Sequence, residues 1–188
     1  MPRAPPLGLD ARGLDALGPC PHGRATSDGI GRPALDDASP SKNGALTLRP
    51  ATAADAGTLA AIHRRARESA AIPNLHSRTS IRRFLLRTVQ QSQVMIACRD
   101  GAPVGYAALH NGWLDQLYVH PEHHRRGIGT ALLAWARHES RELRLYCFAH
   151  NARALAFYQA HGGVILSEGD GSDNEEGLPD LLLGFLET

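Results

Sequence analysis

Lysine is almost missing from this sequence. Lys42 stands alone among 20 basic residues, so arginine carries nearly all the positive charge. A coding bias of a GC-rich genome accounts for this simply, and no function follows from it. Cysteine is scarce too. Cys20, Cys98 and Cys147 are odd in number, far apart and form no CxxC pair. That argues against a disulfide scaffold or a cysteine zinc site, and a reducing cytosol becomes the expected compartment. Charge of one sign is absent, with 20 basic residues against 19 acidic and a formal net charge of +1. The basic footprint of a nucleic-acid partner is therefore not expected. No apolar run approaches the roughly 18 to 20 residues that span a bilayer, so no membrane partner is expected. The opening MPRAPPLGLDARG has no apolar signal-peptide core, and its aspartates argue against a transit peptide. A soluble cytoplasmic protein is the expectation.

What is present suits one globular domain with a tail: 188 residues, 43% of them hydrophobic. Residues 1–44 hold seven prolines and seven glycines and no aromatic residue. That composition predicts a disordered Pro/Gly-rich extension. From Leu46 the pattern changes. Leu46–Pro50 alternates like a short strand that proline stops. Thr52 and Asp55 form a capping pair that opens a helix to about Ala70, with Leu59, Ile62 and Ala66 on one face. A break at Ile72–His76 precedes a second helix, about Thr79–Gln90. Three strands then read as a meander, Gln93–Cys98, Val104–Leu109 and Trp113–His120, with turns at Asp100-Gly101 and Asn111-Gly112. Helix Ile128–Glu139, strand Leu143–Phe148, helix Ala152–His161 and strands Val164–Ser167 and Asp180–Glu187 complete the order. Hairpin and crossover links together predict an α/β fold with a mixed central sheet flanked by helices.

The densest chemistry lies in LYVHPEHHRRGIGTALL, a strand, a loop with two arginines, and two glycines opening a helix. Unpaired N–H groups and the positive dipole end at such a helix start favour phosphate or pyrophosphate. A Rossmann fingerprint would need a third glycine where Leu132 stands, and a P-loop would need Gly-Lys-Ser/Thr. Neither is present.

This segment resembles the acetyl-CoA signature of the GNAT N-acetyltransferases, Q/R-x-x-G-x-G/A. Asn151 to Gly163 resembles the family's second block, N-x-x-A-x-x-F-Y-x-x-x-G-F, at the family's usual separation. The resemblance covers residues 46–188 in element order and implies the acyl-CoA N-acyltransferase fold, an N-acetyltransferase domain over residues 45–188, and acetyl-CoA as co-substrate. Two departures stand out: His124 where Gln or Arg is usual, and Gly163 where an aromatic is usual. The resemblance implies that Arg125, Arg126, Gly127, Ile128, Gly129 and Thr130 hold the pyrophosphate through backbone amides, with His124 as a hydrogen-bond donor. It implies that the main chain of Leu117, Tyr118 and Val119 pairs with the pantetheine arm, that Asn151 touches that arm, and that Tyr158 serves as acid for the departing thiolate.

The base is open between Asp115, placed by period two on the face of Leu117 and Val119, and a chain of waters. Cys147 offers an acyl-cysteine route, but strand cysteines are usually inert, and direct attack in a ternary complex is preferred. His120, His123 and His124 adjoin two arginines and lack an HExxH frame, so no metal is expected. The acidic run from Glu168 to Glu176 fails the calcium-loop pattern at Glu175 and Leu181. It reads as a solvated loop that can attract a cationic substrate. The expected acceptor is a small-molecule amine or a peptide amine, entering between Ile72–His76 and this acidic loop. A homodimer is compatible with the pattern. The competing reading is an acyl-CoA-binding sensor without turnover.

Overall fold

A computed structural model describes residues 44–185. The extension expected over residues 1–44 therefore falls, Gly44 apart, outside the described residues, as does the end of the strand expected to reach Glu187. The strands are β1 (Leu46–Pro50), β2 (Gln93–Arg99), β3 (Ala102–His110), β4 (Trp113–Val119), β5 (Leu143–Phe148), β6 (Val164–Gly169) and β7 (Asp180–Phe185). The helices are α1 (Ala56–Ser69), α2 (Arg78–Gln91), α3 (Ile128–Glu139) and α4 (Ala152–Ala160). One seven-stranded sheet has the order β1-β2-β3-β4-β5-β7-β6. All its pairings are antiparallel except β4 with β5. None of the described helices is long and apolar enough to cross a membrane.

Alternation along the strands divides the core between the two faces. On one, Tyr106 and Ala108 of β3 pack with Leu59 and Ile62 of α1 and Phe84 and Leu85 of α2. On the other, Ala107 and Leu109 pack with Leu132 and Leu133 of α3 and Leu145 of β5. Burying side chains of this size is worth about 1.5–3 kcal/mol each, so the two layers hold the sheet from both sides. The start of the first helix differs from expectation. Thr52 and Asp55 do form a capping box, but the first turn, Ala53–Asp55, is a tight 3-10 turn before α1 begins. Arg49 holds the same carboxylate at 2.7 and 3.0 Å, tying β1 to that turn.

Two irregularities open the sheet. Leu109 faces Leu114 while Ala108 faces Gln116, which leaves Asp115 as an extra residue on β4. Such a bulge bends its strand. Beyond it, β4 and β5 share a single registered pair, Trp113 with Arg144, where the Arg144 N–H donates to the Gly112 carbonyl at 2.9 Å. The strands then separate into a wedge.

Candidate active site

A cleft of about 350 Å³ fills the wedge. Its walls are β4 from Leu114 to Val119 and β5 from Tyr146 to Phe148, with the turn before α3 at one end and Ala66, Ala70 and Ile72 at the other. At the turn, Arg125 and Gly127 take left-handed φ values of +59° and +78°. Gly127 is the N-cap of α3 and no side chain caps that helix, nor does an acidic residue stand in its first turn. Uncapped N–H groups at a helix start suit an anion. A Cβ on Gly129 would stand 3.3 Å from the Phe157 ring, a tight contact. Ile128 is buried in the core below the turn, and Thr130 Oγ1 lies 3.1 Å from His161 Nε2. Arg125 lines the cleft. Arg126 does not; its carbonyl accepts a hydrogen bond from Arg99 at 3.1 Å.

The strand edge sets which main-chain groups face the cleft. The His120 N–H donates to Val104 at 2.8 Å, so alternation turns the Tyr118 main chain toward β3. Only the Leu117 and Val119 main chains face the cleft. Of these, the Val119 carbonyl is already taken by His124 Nε2 at 3.1 Å. A carbonyl only accepts, so that nitrogen carries the proton, and burial, the largest cause, lowers the pKa of the ring. The single N–H of neutral His124 is thus spent within the chain and not on a ligand. The Asn151 side-chain carbonyl caps α4 by accepting from the Ala154 N–H at 3.2 Å, and its amide nitrogen stays open to a ligand.

Asp115, Cys147 and Tyr158 all line the cleft. One Asp115 carboxylate oxygen is sealed from solvent without a partner, and burial raises this carboxyl to about 7. Burial also pushes the Cys147 thiol up to about 11, and pushes the Tyr158 hydroxyl well above its ordinary value, with Cys147 and Tyr118 adding to the rise.

The GNAT acetyltransferase family model matches residues 59–163, more than half of the chain. The chain belongs to the GNAT family. The peptidyl-lysine N-acetyltransferase YiaC of Escherichia coli (strain K12) is 36% identical over 64 residues, 34% of this chain and 44% of that one. The chain thus spans less than half the length of the curated relatives it matches. Among solved structures, a ribosomal-protein-alanine N-acetyltransferase from Brucella melitensis is 26% identical, with a TM-score of 0.60 over 75% of this chain and 99% of that one. The PaiA N-acetyltransferase from Thermoplasma acidophilum, in complex with coenzyme A, is 21% identical with a TM-score of 0.61, over 76% of this chain and 99% of that one.

Within this GNAT fold, the departure at Gly163 has a local cause. A Cβ there would lie 2.9 Å from the Tyr158 carbonyl and 3.2 Å from Phe185, whose ring fills that space from β7. The acidic loop also differs from expectation. Glu176 pairs with Arg67 at 2.6 Å and Glu175 with His76 at 2.8 Å, so these carboxylates are committed within the chain. They join the loop to the Ile72–His76 break instead of standing free for a cation. Among the described residues, no group of three or more His, Cys, Asp or Glu is placed to hold a metal ion.

Sequence reasoning missed a buried relay behind the cleft. His63 Nδ1 lies 3.1 Å from the Tyr106 hydroxyl, which donates to Gln116 Oε1 at 2.6 Å. That hydroxyl has one proton and gives it to Gln116, so Nδ1 must donate. Burial, with Arg67 and His76 adding to it, lowers His63 to about 3 and keeps the ring neutral. Helix periodicity places His63 beside Ile62 on the buried face of α1, and that was the available signal.

Proposed function

We propose that this protein moves an acetyl group from acetyl-CoA to a primary amine by direct attack in a ternary complex. The observation that carries the reading is the convergence on one wedge of an uncapped α3 N-terminus, a free β4 edge, Asp115 and Tyr158. When bound, acetyl-CoA supplies the activated acyl group. The residues present fit it: the N–H groups from Gly127 to Thr130 receive the pyrophosphate, and the Leu117 main chain and Val119 N–H pair with the arm.

Asp115 is the base we assign. A carboxyl raised to about 7 is partly ionised at neutral pH and strong enough to take a proton from an ammonium, directly or through water. The Tyr158 hydroxyl, protonated at neutral pH, holds the proton that a departing sulfur needs, although burial makes it a weaker acid than an exposed tyrosine. Cys147, protonated at neutral pH, does not compete as nucleophile. The amine enters at the end of the cleft lined by Ala66, Ala70 and Ile72. The test is thiol release from acetyl-CoA with a panel of amines, amino acids, lysine peptides and peptide N-termini. Amine-dependent release supports the transferase. Tight acetyl-CoA binding with no release for any acceptor would make the protein a sensor instead.

A further inference from the structure

We infer that the groove between α1 and α2 docks an acidic segment of a polypeptide; its role in bringing an acceptor rests on the transferase reading above. Although the whole chain is almost neutral, seven arginines stand against a single carboxylate, Glu68, between His63 and Gln91. Spacings of three and four put Gly57, Ala60, Ala61 and Arg64 on one face of α1. Arg78, Ile81 and Arg82 answer from α2, and together with Arg65 they enclose a second cavity of about 240 Å³. The floor is low because its residues are small. A Cβ on Gly57 would stand 4.0 Å from Arg82 Nε, so Arg82 reaches across from one helix to the other.

Four arginines thus line one concavity, largely through their stems. Glu68 approaches Arg64 and Arg65 only at 3.6 and 3.8 Å. Arg78 and Arg82 make no ion pair among the described residues. Four like charges with Glu68 as their one ion-pair partner among the described residues repel, and an arriving anion relieves that repulsion. Arginine forks bind carboxylates bidentately, which suits aspartate and glutamate side chains. The apolar floor of Ala60, Ala61 and Ile81 suits the stems and backbone between those carboxylates. Among the described residues, no aromatic lines the groove to stack a base, so single-stranded nucleic acid fits it less well.

Binding is measured with the full chain, without acetyl-CoA, by fluorescence anisotropy of labelled poly-glutamate. The double variant Arg78→Glu/Arg82→Glu should bind at least about tenfold more weakly, and raised salt should weaken the wild type. Arg78→Gln/Arg82→Gln should show the same direction should the charge-reversed protein not fold. Unchanged binding in the folded variant, or tighter binding of polyuridylate than of poly-glutamate, overturns the inference. In turnover, the variant should raise KM roughly tenfold for a lysine flanked by glutamates and leave KM unchanged for one flanked by glutamines. A total lack of acetyl transfer would sink the transferase reading and leave the binding result standing.

Discussion

At the scale of single residues, two side chains in the cleft carry opposite demands on their protons. Tyr158→Phe keeps the ring and its packing against Phe157 and Phe185. Acetyl-CoA affinity and melting temperature should hardly move, while turnover falls by roughly 10² to 10⁴. A donor with a low-pKa thiol should be much less affected, since that thiolate leaves unaided; equal losses for both donors would make Tyr158 a positioning group. Asp115 is tested through stability as well as rate. Its folded carboxyl titrates near 7, above the model-peptide value of about 3.9. A group raised on folding stabilises fully below its unfolded pKa and loses that contribution as pH rises through the folded one. Asp115→Asn removes the titration. The variant should melt progressively higher than the wild type between about pH 4 and 7, and should lose the fall in kcat/KM below about pH 7. A constant difference in melting temperature across that range would mean that the carboxyl is not held up by burial.

At the scale of elements, the turn before α3 was legible because its chemistry is local. Glycines, arginines and an apolar helix within a few residues announce an uncapped N-terminus without reference to the rest of the chain. The prediction that belongs here is Gly129→Glu. The new side chain meets Phe157, and its charge sits where an anion would, so coenzyme A binding should vanish in titration calorimetry. Overpacking of this kind costs about 1–3 kcal/mol, so the circular dichroism spectrum should still show a folded protein. Normal binding by the folded variant would move the pyrophosphate elsewhere. The neighbouring strand was less legible. Period two could place Asp115 with Leu117 and Val119, but not show that a bulge puts Leu114 in the same core layer. Nor could it say which main-chain groups face β3, because that depends on the partner strand. Arg67 and Glu176 lie 109 residues apart, and nothing local in either segment links them.

At the scale of the whole molecule, the element order came through intact, with boundaries shifted by one or two residues. The buried face of α1 followed from apolar spacing, and the strand order did not. The composition of residues 1–44 motivates one prediction here. A protein beginning near Ala45 should keep its melting temperature and its coenzyme A affinity, read by thermal shift and calorimetry. A large loss of either would mean that the extension packs on the domain.

The single rung between β4 and β5 makes the sheet two rafts, β1–β4 and β5–β7–β6, joined at one apex. A ligand lying along the wedge would work as a splint, supplying the cross-strand bonds that the chain itself leaves out. Its grip should then register as rigidity: slower amide exchange along β5, and about 2.7 kcal/mol of added stability at a hundredfold excess over Kd. A reporter is already at the apex, because Trp113 stacks on Tyr146 with centroids 5.5 Å apart and planes 11° from parallel. In a Trp135→Phe background, its emission should shift as acetyl-CoA is titrated in, and emission that ignores saturating ligand would mean that the rafts are already locked.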